Sequence, residues 1–132
     1  MSLIYTPIYA AILAILMLVL ATKVVLTRRK LRIGVGDKGD GAMLKVIRVH
    51  GNATEYVPIT LILLALAELN GASAYLINSW GIAFVVGRLI HAYGLGRSIG
   101  VSFGRFYGTI LTWLVILSLA IYLLVTSFMA LI

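Results

Sequence analysis

Lys45, Arg48, Asn52 and Glu55 recur every three or four positions in the segment KVIRVHGNATEYVP, residues 45–58. On a helix that spacing puts them on one face with Ile59, while His50 points elsewhere. A second polar set, Arg88 and His91, stands three residues apart in GRLIHAYG. Arg48, Arg88 and Arg105 with the two histidines outnumber the single carboxylate of Glu55. That balance suits an anion with several carboxylates, which arginine grips bidentately. The plainer alternative is that Glu55 pairs with Arg48 or Arg88 and locks two helices together without any chemistry.

The elements that carry these residues are membrane helices. Apolar residues make up 62% of the 132 and charged ones only 11%, with a mean hydropathy of +1.10, far from a soluble domain of this length. Uncharged stretches cover residues 1–22, 69–87 and 106–132, each near the roughly 20 residues that cross a bilayer. The apolar run from Tyr56 to Ala67 is shorter and spans only if the polar segment before it belongs to the same helix. Four spanning helices in one domain over residues 1–132 are expected. They run from about Leu3 to Thr27, from about Gly41 to Asn70, from about Ser73 to Leu95, and from about Arg105 onward. Pro58 removes one backbone donor, which a bundle tolerates with a bend. No basic segment precedes the first apolar stretch, so the first helix is expected to be retained.

All eleven Lys and Arg residues fall within residues 23–48 and 88–105. The bias of basic loops toward the cytoplasm puts the first and third connections there and the termini outside. The net charge of +7 then reads as topogenic and lipid-facing rather than as a nucleic-acid footprint, with TRRKLR directly after the first helix. Arg28 and Arg29 within it keep a second reading, as holders of an anionic ligand. Absence of cysteine excludes disulfides, thiolate metal sites and a cysteine nucleophile. GVGDKGDG is a loop without the ending of a phosphate-binding loop or the acidic ladder of a calcium loop. NAT at 52–54 is dismissed as a glycosylation acceptor because of its place on a helix at the cytoplasmic side. Ala83 and Gly87 let helices approach closely, whereas Gly96, Gly100, Gly104 and Gly108 are read as turn composition.

RVHGNATEYVP ahead of a long apolar helix, GRLIHAYG on the third helix and GRFYGTILTW opening the fourth together resemble the MAPEG family, membrane-associated proteins in eicosanoid and glutathione metabolism. The likeness runs from RRKLRIG nearly to the end and is greatest to the bacterial, glutathione-transferase-like branch. It implies an all-α four-helix protomer, a homotrimer, glutathione as co-substrate held between protomers near the cytoplasmic face, and a lipophilic electrophile from the bilayer; a thiolate stabilised by a guanidinium requires no metal. Position by position, Arg48, Asn52, Glu55 and Tyr56 match the second-helix glutathione contacts. Arg88 and His91 match the third-helix positions, and Arg28 or Arg29 the basic residues ending the first. The arginine credited with activating the thiol matches Arg105, with Arg97 as the alternative. Two positions depart from the pattern: Leu95 stands where a tyrosine is frequent, and Gly51 where some members are basic.

The resemblance implies a membrane-bound glutathione transferase or peroxidase. The alternative is a non-catalytic membrane module that keeps the fold and binds lipid or a partner protein. A transporter is disfavoured because no inverted repeat or pair of broken helices is visible.

Overall fold

The computed structural model describes the backbone of residues 2–97 and 103–132 and, of these, the side chains other than those of residues 95–97. Among the described residues there are four helices and no strand: α1 (Thr6–Leu31), α2 (Gly41–Leu69), α3 (Ala74–Arg97) and α4 (Phe103–Met129). α1, α2 and α4 are long and apolar enough to cross a membrane. α3 is not among them, so the expectation of four such spans is met by three; its length is sufficient, but Arg88 and His91 interrupt its apolar character.

Each helix boundary has a local cause. α1 begins at Thr6 rather than Leu3 because Pro7 occupies its first turn, where a missing N–H costs nothing. It runs four residues past Thr27 because Arg28, Arg29 and Lys30 sit in its last turn, where positive charge meets the unsatisfied carbonyls. Arg32 then adopts a left-handed conformation, φ 55°, and Ile33 N donates to Arg28 O at 3.0 Å, closing the helix. The loop turns through Gly36 and Gly39, both at positive φ. Asp40 caps α2 by accepting from Met43 N at 2.8 Å. α2 continues through Pro58 as one helix of 29 residues, so the polar segment and the Tyr56–Ala67 run do share a helix, as a span there requires. Gly71 at φ 83° makes the turn into α3. α4 starts at Phe103, two residues before Arg105.

The core joins all four helices: Leu13 of α1, Val57 and Leu64 of α2, Ile77 and Phe84 of α3, and Val115 and Leu119 of α4. Large apolar residues nevertheless cover the outside, among them Ile15 and Leu18 on α1 and Leu114, Leu117 and Ile121 on α4. In water such a surface would be an aggregation liability; against lipid tails it is matched. Lipid also removes the hydrophobic drive for helices to associate, leaving close packing to hold them.

Glycine supplies that closeness between α3 and α4. A Cβ on Gly108 would lie 2.7 Å from Gly87 O and from His91 N, and one on Gly104 2.8 Å from Ile90 O. Gly104 and Gly108 are therefore helix-contact residues, which corrects their reading as turn composition. Gly100 of the same repeat lies outside the described residues.

At the end of the bundle bearing the termini, Tyr9 packs on Gly81 and donates to Asn78 Oδ1 at 2.6 Å. Glu68, at the close of α2, accepts from the backbone N–H groups of Ile4, Tyr5 and Thr6 at 2.6, 2.8 and 2.8 Å. α1 has no side-chain cap of its own, so α2 supplies it.

Candidate functional site

Arg88 is the largest fully buried side chain, 2% exposed at the α2, α3 and α4 junction. Its Nη2 donates to Asn52 Oδ1 at 2.6 Å and its Nη1 to Thr112 Oγ1 at 3.3 Å. The guanidinium carbon stands 5.7 Å from the centre of the Tyr56 ring, within cation–π range. Spacing explains the convergence. Asn52 and Tyr56 are one turn apart on α2, so α2 turns a polar pair toward α3, while α4 turns Thr112 there one turn after Gly108, where the two helices pack closely. Thr112 Oγ1 in turn donates to Gly108 O at 2.8 Å, leaving its lone pairs for the arginine.

Two polar nitrogens at this centre are left over. Arg88 Nε and His91 Nδ1 are buried without a hydrogen-bond partner among the described residues. No carboxylate stands within ion-pair distance of Arg88 there; the ion pair formed among the described residues joins Arg48 and Glu55 at 3.9 Å. A buried guanidinium without a counter-charge is costly in an apolar medium.

Arg48 and Glu55 lie on the neighbouring surface of α2, their side chains 57% and 54% exposed. Within the single chain Glu55 is thus half exposed, whereas Glu68, at the close of α2, is buried. Lys45, two turns before Asn52, lines a separate cleft with Lys23.

Tyr56 leads outward from the buried arginine. Its hydroxyl accepts from Trp113 Nε1 at 3.1 Å, and Trp113 lines a cavity of about 330 Å³ with Arg105, Phe106, Thr109 and Ile110. Arg105, Thr109 and Trp113 are four residues apart and share one face of α4. A basic head above an apolar floor fits a ligand with a polar and a lipophilic part. The Arg97 side chain lies outside the described residues.

Arg28 is occupied elsewhere in part: its Nη1 donates to Gly34 O at 3.3 Å and Gly36 O at 3.0 Å, holding the loop after α1. With Arg29 and Arg32 it lines a groove at the end of α1, and among the described residues it makes no hydrogen bond to the Arg88 group. Thr112 and Trp113 were not foreseen from the sequence. The signal was available for Trp113, eight residues after Arg105 and thus on its face of the helix; Thr112 needed the rotation of α4 against α3.

Apolar helices turned outward around a buried polar centre define an integral membrane protein of the four-helix type. Residues 6–125 match the model of the MAPEG family, and the chain belongs to that family. It is similar to inner membrane protein YecN of Escherichia coli K12, with 38% identity over 89 residues, 67% of this chain and 68% of that protein. YecN of Escherichia coli O6:H1 matches to the same extent.

Proposed function

We propose that this protein is a glutathione-dependent transferase or peroxidase of a bacterial inner membrane, acting as a homotrimer on lipophilic electrophiles. The observation that carries the reading is buried Arg88, hydrogen-bonded by Asn52 and Thr112, faced by Tyr56, and without a carboxylate partner among the described residues. A ligand carboxylate is the partner such a group calls for. Glutathione brings two carboxylates and an ammonium. Arg48 and Arg88 take the carboxylates, Glu55 takes the ammonium, and His91 completes the polar wall.

Arg48 and Glu55 are exposed in the single chain. Association with a neighbouring protomer covers that face and brings in Arg28 or Arg29 from its first helix, neither of which hydrogen-bonds to the centre within one chain among the described residues. The positive-inside bias assigns this end of the bundle to the cytoplasm, where glutathione is found, with four crossings and the termini outside.

Arg105 supplies the chemistry. A thiol with a pKa near 8.5 is mostly protonated at neutral pH, and an adjacent guanidinium stabilises the thiolate. A shift of about two units corresponds to roughly 2.7 kcal/mol and makes the thiolate the main species. The proton leaves to solvent, the sulfur attacks the electrophilic carbon, an S–C bond forms, and the leaving group departs with its electron pair. The cavity below Arg105 offers Phe106, Ile110 and Trp113 to the apolar part of the electrophile.

The test is the Arg105→Ala variant of the detergent-solubilised protein. Glutathione affinity should stay within a few-fold while turnover with a model aryl halide falls about a hundredfold, the scale of losing one fixed charge donor. Thiolate absorbance near 240 nm, present in wild type at neutral pH, should move toward the pKa of the free thiol. Unchanged absorbance and rate transfer the role to Arg97, and no thiolate signal in wild type favours a non-catalytic membrane module.

A further inference from the structure

A second basic centre lies outside the proposed glutathione site. Lys23 of α1 and Lys45 of α2 line one cleft of about 100 Å³, floored by Leu20, Val46, Val49 and Ala92. The two lysines come from different helices, so the fold, not sequence proximity, brings them to the same opening. Neither forms an ion pair among the described residues. None of the six lining residues belongs to the Arg88 group or to the Arg105 cavity.

Converging like charges repel, and in the low dielectric of a membrane edge they do so strongly. An anion seated between them reverses the sign of that interaction. The depth of the site restricts which anion. Lys23 lies eight residues before the end of α1 and Lys45 four after the start of α2, about 12 Å and 6 Å from the helix ends at 1.5 Å per residue. Lysine stems at this depth can lie along apolar surface and carry their ammonium groups to the level of lipid headgroups. The cleft has room for a phosphate group, and its floor is hydrocarbon, matching the junction of a phospholipid between head and chain.

We infer that the cleft between α1 and α2 is a site for the phosphate of an anionic glycerophospholipid, bridged by Lys23 and Lys45. Each ammonium donates to a phosphate oxygen, and the acyl chains leave past Leu20 and Val49 into the bilayer. The bound lipid fastens α1 to α2 at the end of the bundle remote from the Glu68 clasp.

Native mass spectrometry of the full chain, loaded from mixed micelles of phosphatidylglycerol and phosphatidylcholine with matched acyl chains, tests the site. Wild type should retain phosphatidylglycerol with roughly tenfold preference, as expected for two lysines facing one headgroup. K23Q/K45Q should retain both lipids about equally, whereas Lys30→Gln should keep the wild-type preference. Lys23→Glu gives Lys45 an internal partner, so it should abolish the preference even if the double variant folds poorly. Equal retention by wild type and K23Q/K45Q would overturn the site. Displacement of phosphatidylglycerol by millimolar inorganic phosphate would overturn the lipid as its occupant. Glutathione binding enters none of these readouts, so the lipid site and the proposed enzymatic function fail separately.

Discussion

Glu68 and Arg88 are two buried charges on adjacent helices, and they are treated in opposite ways. Glu68, 9% exposed, accepts three backbone N–H groups between 2.6 and 2.8 Å that α1 cannot satisfy itself. Arg88, 2% exposed, has partners for both Nη atoms but none for Nε, and no carboxylate nearby among the described residues. A buried charge whose hydrogen bonds are complete is part of the scaffold. One that is held in place yet keeps a spare donor and an unbalanced charge is poised for a ligand.

The largest expected effect is on the scaffold. Glu68→Leu leaves the amides of Ile4, Tyr5 and Thr6, which lead into α1, without their acceptor, a loss of about 3 kcal/mol, and should lower the thermal midpoint in detergent by on the order of 10 °C. Glu55→Gln should leave the midpoint within about 2 °C, because its side chain is half exposed and its ion pair at 3.9 Å is long. Glu55→Gln should instead weaken glutathione binding more than Glu68→Gln does. Equal binding losses would mean that the α2 stripe is not the site.

A smaller effect sharpens the comparison at the other charge. Trp113→Phe removes the hydrogen bond to Tyr56 while keeping an aromatic ring in the cavity wall. Stability should change by less than about 1 kcal/mol. The Michaelis constant for a bulky electrophile should rise a few-fold with glutathione affinity unchanged. An equal loss for both substrates would mean that Trp113 acts by positioning Tyr56 and Arg88 rather than by lining the electrophile cavity.

The contrast also marks what could be read in the sequence. Hydropathy located α1, α2 and α4, because lipid-facing helices must be apolar over a bilayer's thickness. Their ends were harder to read. The basic residues closing α1 looked like loop and prove to be its last turn, since cations are favoured at helix C-termini. Spacing put Asn52 on one face of α2 and paired Arg88 with His91 on α3, because the i, i+3 and i, i+4 rule fixes the face of each; Tyr56 came only from the family resemblance. Thr112 and the glycines at the α3–α4 crossing depend on how two helices are rotated against each other, which spacing within one helix does not contain. Glu68 stayed hidden for a related reason. A cap supplied by a residue more than sixty positions away leaves no pattern beside the helix it caps.

The central claim is that Arg88 is held for a ligand and not for the fold, and calorimetry of glutathione against Arg88→Met tests it most directly, with thermal unfolding on the same samples. Methionine fills a similar volume and removes an incompletely satisfied charge. Stability should therefore hold or rise, while glutathione binding, in the micromolar to millimolar range for wild type, should weaken at least tenfold. An Arg88→Met protein that loses as much stability as Glu68→Leu yet binds glutathione like wild type would contradict the account, as would a wild-type protein that binds no glutathione.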